Sequence, residues 1–294
     1  MPYVSPGWRP PPVRKLRTKE GRALVASSLT YDPTPPGANA SAAEIARFDA
    51  LAGRWWEPDG PMRPLHRMNP ARVGWIAAQV RSRLGEVASG GEAVRLLDVG
   101  CGAGIAAEAL ARLGFDVLGV DAAAGPVAAA VAHAAGQGLR LAYRVGVAED
   151  LLAEGLRFPV VTALEVVEHV PDPAAFLRVL AELVAPGGLL VMSTLNRTAA
   201  SLVGAKLVAE YVLRWLPVGT HEWRKFLTPA ELGRHVRAAG LTVTEVAGLV
   251  PDLRGGGWRV GGDLRVNYLL AAGAPLAGRD GLAASHTAAA KSLT

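Results

Sequence analysis

Leu96-Leu97-Asp98-Val99-Gly100-Cys101-Gly102-Ala103-Gly104 runs from an apolar, strand-like segment into a loop with glycine at every second position. The spacing predicts a helix over 104–113 and a second apolar strand over 116–120, closing on Asp121. Strand, glycine turn, helix, strand and acid form the skeleton of a nucleotide-binding βαβ unit. Glycines let the backbone pass close to a ligand, and an acid at the tip of the second strand can accept both hydroxyls of a ribose. Such a unit binds an adenosine-type cofactor.

Two cofactor classes compete for it. A dinucleotide site uses G-x-G-x-x-G, with pyrophosphate at the helix N-terminus. Here Gly100, Gly102 and Gly104 give G-x-G-x-G, and Ile105 stands where the last glycine belongs. Asp98, just before the loop, would set negative charge against pyrophosphate, but it suits a cationic ligand. S-adenosylmethionine (SAM) carries a sulfonium and an ammonium and no phosphate. The segment closely resembles motif I of the class I methyltransferases.

The 294-residue chain is long enough for one full α/β core with tails or a small lid. Half of its residues are hydrophobic and 19% are charged, a globular balance. Its one cysteine, Cys101, excludes an internal disulfide and reads as a small side chain filling the tight loop. The net charge of +5 sits in the first 22 residues, where Arg9, Arg14, Lys15, Arg17, Lys19 and Arg22 face only Glu20. A balanced body with a basic, proline-punctuated arm does not fit a nucleic-acid-binding domain. The arm suits an anionic membrane surface, where each basic residue adds about 1 kcal/mol, or else a solvated tail. No stretch has the length of a signal peptide or the roughly 18 apolar residues of a membrane span. The expected location is cytoplasmic, peripheral to the inner face of the membrane.

Residues 1–41 read as a basic, Pro-rich extension, 42–272 as the catalytic domain, and 273–294 as a disordered tail. Ile45, Phe48, Leu51 and Ala52 recur at helical spacing, and Pro70 reads as opening a second helix with Val73, Ile76 and Val80. Beyond 94, strands and helices alternate: strands at 94–99, 116–120, 139–144, 159–164 and 189–194, helices at 104–113, 125–135 and 173–184. Such alternation signals a parallel, doubly wound sheet. Runs at 241–250 and 265–272 flank a Gly-rich stretch, 255–262, and read as an antiparallel pair. Within 198–227, Lys206, Glu210 and Arg214 form one polar stripe on an otherwise apolar helix. That segment reads either as an added helix packed on the core or as a lid admitting a lipid-like substrate.

Open parallel sheets bind ligands across their carboxyl edge. After the strand at 139–144, Ala148 and Glu149 stand where an adenine contact belongs. After the strand at 159–164 come Glu165, Glu168 and His169, two carboxylates and an imidazole within five residues. On a helical turn the three would share one face. Such ligands suit Mg²⁺ or Zn²⁺, and a cation there would lower a bound phenol's pKa. Alternatively His169 acts alone as general base, its ordinary pKa of about 6.5 matching neutral-pH work. Hydrogen-bonded bracing of the turn by Glu165 and His169 is the structural alternative.

At this level a narrower resemblance emerges. Phe48-Asp49-Ala50-Leu51-Ala52, Arg54-Trp55-Trp56 and the run 63–72 resemble the N-terminal segment of the ubiquinone-biosynthesis O-methyltransferases. So do Glu165-Val166-Val167-Glu168-His169-Val170-Pro171-Asp172-Pro173, Ser193-Thr194-Leu195-Asn196-Arg197, the run 219–226 and Val266-Asn267-Tyr268. The resemblance spans roughly 44–272, with Ala103 in place of a glycine common in the donor loop. It implies a Rossmann-like class I methyltransferase: a seven-stranded, mostly parallel sheet, helices on both faces, and an inserted helical lid at 198–227. It implies two O-methylations of polyprenylated catechol-type rings, and SAM contacts from Arg72, Gly100, Asp121 and Leu164. It implies a metal at Glu165, Glu168 and His169, with a ubiquinone-biosynthesis complex as partner. A methyltransferase for another small phenol, a non-catalytic scaffold subunit and an NAD-dependent dehydrogenase are the competing functions.

Overall fold

A computed structural model describes residues 41–85, 93–202, 223–252 and 257–276. It begins with α1 (Ala42–Asp49), a short 3-10 turn (Ala52–Arg54) and α2 (Arg63–Leu84). The alternating core follows as β1 (Arg95–Val99), α3 (Ile105–Arg112), β2 (Asp116–Asp121), α4 (Ala124–Ala134), β3 (Leu141–Val145) and α5 (Ala148–Ala153). It continues through β4 (Phe158–Leu164), α6 (Pro173–Leu183) and β5 (Val184–Leu195). A 3-10 turn (Trp223–Lys225), α7 (Pro229–Ala238), β6 (Thr242–Pro251), β7 (Trp258–Gly261) and β8 (Asn267–Gly273) complete the chain.

The strands form one sheet in the order β3-β2-β1-β4-β5-β8-β6-β7. The first five are mutually parallel, whereas β8, β6 and β7 pair antiparallel. Strand order reverses between β1 and β4, which opens a crevice at their carboxyl ends. The sheet has eight strands rather than the expected seven. The addition, β7, lies within the Gly-rich stretch and pairs as an edge hairpin with β6, so glycine content alone hid it.

Consecutive apolar residues on the central strands face opposite layers, as in sheets covered on both sides. Leu97, Val161 and Leu190 join Leu151, Leu177 and Val236 of α5, α6 and α7 on one face. Leu96, Val160 and Val191 join Ile76, Val80 and Leu110 of α2 and α3 on the other. Helix starts are specified locally. Asp172 Oδ1 accepts from the amides of Ala174 and Ala175 ahead of Pro173, and Thr228 forms a reciprocal box with Glu231.

Two boundaries differ from expectation. Pro70 lies inside α2 rather than at its start, and Pro64 occupies the first turn. A proline costs one backbone hydrogen bond, and here the buried face of α2 outweighs it. The tail expected from Gly273 also starts later, because Gly273 ends β8, Ala274 N donates to Gly188 O, and Gly187 N donates to Pro275 O. Most of the expected lid at 198–227 lies outside the described residues, as does the arm at 1–40.

A third apolar cluster places Trp55, Met62, Ala103 and Ile105 together, with Phe48, Leu51 and Trp56 against them. It seats the segment between α1 and α2 on the glycine loop. Trp56 Nε1 donates to Ala103 O at 3.0 Å, and Gly125 N donates to Asp49 Oδ1 at 2.8 Å.

Candidate active site

The glycine loop closes at the carboxyl end of β1, where the amides of Gly100 and Cys101 both donate to Val120 O. Gly100, Gly102 and Gly104 all have positive φ, at 70°, 53° and 85°. At Gly102 the requirement is double, since a Cβ there would overlap the Trp55 ring as well as strain the backbone. A Cβ on Gly100 would overlap Val166, so the loop touches the turn after β4 directly. Cys101 is buried and its thiol is pushed far up by burial, consistent with a filler rather than a nucleophile.

Asp121, at the tip of β2, accepts from Gly102 N at 2.8 Å on Oδ2 and from Ala123 N at 2.9 Å on Oδ1. Burial raises its pKa despite those two amides. A carboxylate offers about four lone-pair sites, so two remain for a ligand's hydroxyls. Asp98 is buried beneath the loop and accepts from Thr162 Oγ1 at 2.7 Å. Burial pushes its pKa up to about 6, while the Thr162 hydroxyl and the Arg72 charge pull it down.

Arg72 is buried on α2, and its charge is felt by both Asp98 and Glu165. Its Nε donates to Asn69 Oδ1 at 3.0 Å, and Asn69 Nδ2 donates to Ile105 O at 2.8 Å. Leu164 ends β4 and is buried at the same edge. Ala148 and Glu149 form the first turn of α5, with Ala148 buried. Thus Arg72, Asp98, the three glycines and Asp121 gather at the β1–β2 edge, with Leu164 at the end of the neighbouring β4.

The turn after β4 is not helical, so Glu165, Glu168 and His169 do not share a helix face. Glu165 has a left-handed φ of 57°, rare for a side chain this size and a signature of functional strain. Its Oε1 accepts from Ser193 Oγ at 2.6 Å, and Asn267 Nδ2 lies 3.1 Å from both carboxylate oxygens. Glu168 is buried and accepts from Thr194 Oγ1 at 2.8 Å. Burial, reinforced by the Glu165 charge, pushes its pKa up to about 7.

His169 faces elsewhere, with Nδ1 3.1 Å from Glu44 Oε2 and its ring edge-on to Phe48. Burial opposes its protonation, but the Glu44 hydrogen bond and the charges of Glu168 and Glu44 raise its pKa overall. Among the described residues no three His, Cys, Asp or Glu side chains converge to hold a metal. The expectation that the three share one face of a helical turn is corrected: the turn is not helical, and the side chains meet separate partners.

Sequence reasoning missed Glu44, Asn69, Thr162, Ser193, Thr194 and Asn267 as partners of these groups. Asn69, Ser193, Thr194 and Asn267 lay within motifs already marked. Glu44 carried no signal beyond an amphipathic helix, because its partner is 125 residues away in sequence.

A methyltransferase-domain family model matches residues 67–246. The ubiquinone biosynthesis O-methyltransferase of Azorhizobium caulinodans is 49% identical over 249 residues, covering 84% of this chain and 95% of the relative. The protein of the same name from Caulobacter sp. is 46% identical, covering 84% and 96%. Among solved structures, the SAM-bound magnesium protoporphyrin IX methyltransferase of Synechocystis has a TM-score of 0.52 at 17% identity, covering 79% of this chain and 96% of that one. That likeness supports the fold alone. Identity near one half along most of both chains reaches well past a shared sheet, and the chain belongs to the ubiquinone biosynthesis O-methyltransferase family of SAM-dependent methyltransferases.

Proposed function

We propose that the chain methylates phenolic hydroxyls of polyprenylated catechol-type rings, at both O-methylation steps of ubiquinone assembly. The supporting observation is a juxtaposition. Val166 touches Gly100 of the donor loop, and three residues on His169 is held through Nδ1 by Glu44. A proton acceptor therefore belongs to the same turn that walls the donor site.

The buried groups fit SAM. Arg72 offers a desolvated cation for the methionine carboxylate, Asp121 retains acceptor capacity for ribose hydroxyls, and Asp98 suits the cationic end. Gly100, Gly102 and Gly104 let the backbone approach, with Leu164, Ala148 and Glu149 bordering the adenosine side. When bound, SAM supplies an electrophilic methyl group on a sulfonium. A free phenol has a pKa of about 10, so little phenolate exists at neutral pH without help. With Nδ1 facing the Glu44 carboxylate at 3.1 Å, the Nε2 atom of His169 is the acceptor for the phenol proton. Phe48 packs against the ring and limits its rotation. Orientation of acceptor and donor supplies much of the remainder.

Glu165 accepts from Ser193 and Asn267, and Glu168 from Thr194, while both carboxylates keep further lone-pair sites. They brace the floor between β4, β5 and β8. The anionic membrane surface, the cytoplasmic location and the biosynthetic complex remain parts of this proposal, supported by the prenylated substrate and the basic arm at 1–22. No helix among the described residues is long and apolar enough to cross a membrane.

The test is methyl transfer to short-chain demethylubiquinol analogues, with and without chelator, by wild type, Glu165→Ala and His169→Ala. Loss of about 100-fold or more in His169→Ala, insensitive to chelator, is the expected result. An unchanged His169→Ala rate overturns the assigned base, and a rate abolished by chelator restores the metal.

A further inference from the structure

Trp55 lies between α1 and α2, 7% exposed, with its six-membered ring over Gly102. Its backbone carbonyl lies 2.7 Å from His66 Nε2, and Phe48 packs beside it. Yet its indole Nε1 is buried and has no hydrogen-bond partner among the described residues. The neighbouring Trp56 is satisfied, donating to Ala103 O.

A buried N–H without an acceptor costs roughly 1–3 kcal/mol, and tryptophan nitrogens inside proteins are normally paired. The glycine at 102 is what admits the ring, so loop and indole are shaped to each other. Gly102 N is itself bonded to Asp121, the acid positioned for the ribose. The unused donor therefore stands beside the donor loop with no acceptor among the described residues.

We propose that Trp55 roofs the methyl-donor site and that its Nε1–H donates to an oxygen of the bound methyl donor. This rests on the reading of the loop as a SAM site. The acceptor is the methionine carboxylate or a ribose hydroxyl, both being oxygens of one ligand. Trp55 thus joins Arg72 and Asp121 as a contact on the donor, contributed by the segment preceding the Rossmann core. Trp56 and Asp49, bonded to Ala103 and Gly125, hold that segment down.

The experiment is calorimetric titration of the metal-free protein with S-adenosylhomocysteine, for wild type, Trp55→Ala and a protein carrying the sulfur isostere β-(3-benzothienyl)alanine at position 55, with thermal melts of each unliganded protein. The isostere-bearing protein keeps the bicyclic ring over Gly102 and replaces only the N–H. Its affinity is expected to fall about tenfold or more, as for an N–H bonded to a charged group. Its unliganded Tm is expected to hold or rise, because an unpaired buried donor is gone. A merely structural tryptophan would lower Tm and affinity together, and that outcome overturns the proposal. So does an unchanged affinity in the isostere-bearing protein. Repeating the titration with 5′-methylthioadenosine separates the acceptors: loss with both ligands assigns the ribose, loss with S-adenosylhomocysteine alone assigns the carboxylate. If wild type binds neither ligand, the SAM-site reading itself fails.

Discussion

At the residue scale the site is governed by buried charge. Asp98 sits 2% exposed with Thr162 as its hydrogen-bond donor, and burial lifts its pKa from the ordinary 3.8 to about 6. Because the folded-state value is the higher one, the stability tied to the protonated form is complete below about pH 4. It is lost as pH rises through about 6. Asp98→Asn mimics that protonated form. The unliganded variant is expected to melt higher than wild type at pH 7.5, by at most about 3 kcal/mol, and the gap should close near pH 4. Its affinity for S-adenosylhomocysteine should nonetheless fall, since the acceptor facing the ligand is weakened. A gap that grows toward low pH would contradict the assignment. Glu44 is a second case. Glu44→Gln leaves the donor loop untouched, so kcat is expected to fall about tenfold with the KM for SAM unchanged.

Elements act here by carrying one side chain each to a shared edge. Helix α2 brings Arg72, and Asn69 one turn earlier fixes the guanidinium while tying α2 to Ile105 at the start of α3. Asn69→Ala breaks both bonds. It should weaken donor binding about tenfold and cost about 1–3 kcal/mol of stability, read by calorimetry and urea unfolding. The glycine loop is less tolerant. Gly102→Ala would strain a φ of 53° and press a methyl into Trp55, so loss of donor binding and a lower Tm are expected together. A Gly102→Ala protein with wild-type affinity would sink the close packing of loop and indole. The same scale shows where sequence signals were weak. Pro70 looked like a helix start, but the buried face of α2 carried the helix through it. Strand β7 was obscured by glycines that form a hairpin edge.

Across the whole molecule, the two-sided sheet makes one cooperative unit from α1 to the residues just beyond β8. Arg83 on α2 donates to the carbonyls of Gly187 and Ala274, tying α2 to β5 and to the residue after β8. A protein lacking residues 1–40 is therefore expected to keep its Tm and its affinity for S-adenosylhomocysteine, and to lose sedimentation with anionic liposomes. Retained liposome binding would move the membrane contact out of the basic arm. Donor at 100 times its Kd should stabilise the fold by about 2.7 kcal/mol. For a domain of this size that corresponds to a Tm rise of roughly 5–10 °C, and no rise would remove the donor site.

The sequence by itself determined the architecture and the class of ligand. Strand–glycine–helix–strand–acid is a local pattern, and Asp98 and Asp121 sit within or beside it, so short-range spacing sufficed. The motifs at 48–72 and 165–173 also carried the family. Only the tertiary structure decided the partnerships. Glu44 meets His169, Asn267 meets Glu165, and Trp55 meets Gly102 across long stretches of sequence, and no periodicity encodes such pairs. The three groups expected on one helix face meet separate partners instead, at a non-helical turn that opens with the left-handed Glu165. Spacing along the chain specifies which residues are near the crevice; packing of the sheet specifies which of them touch.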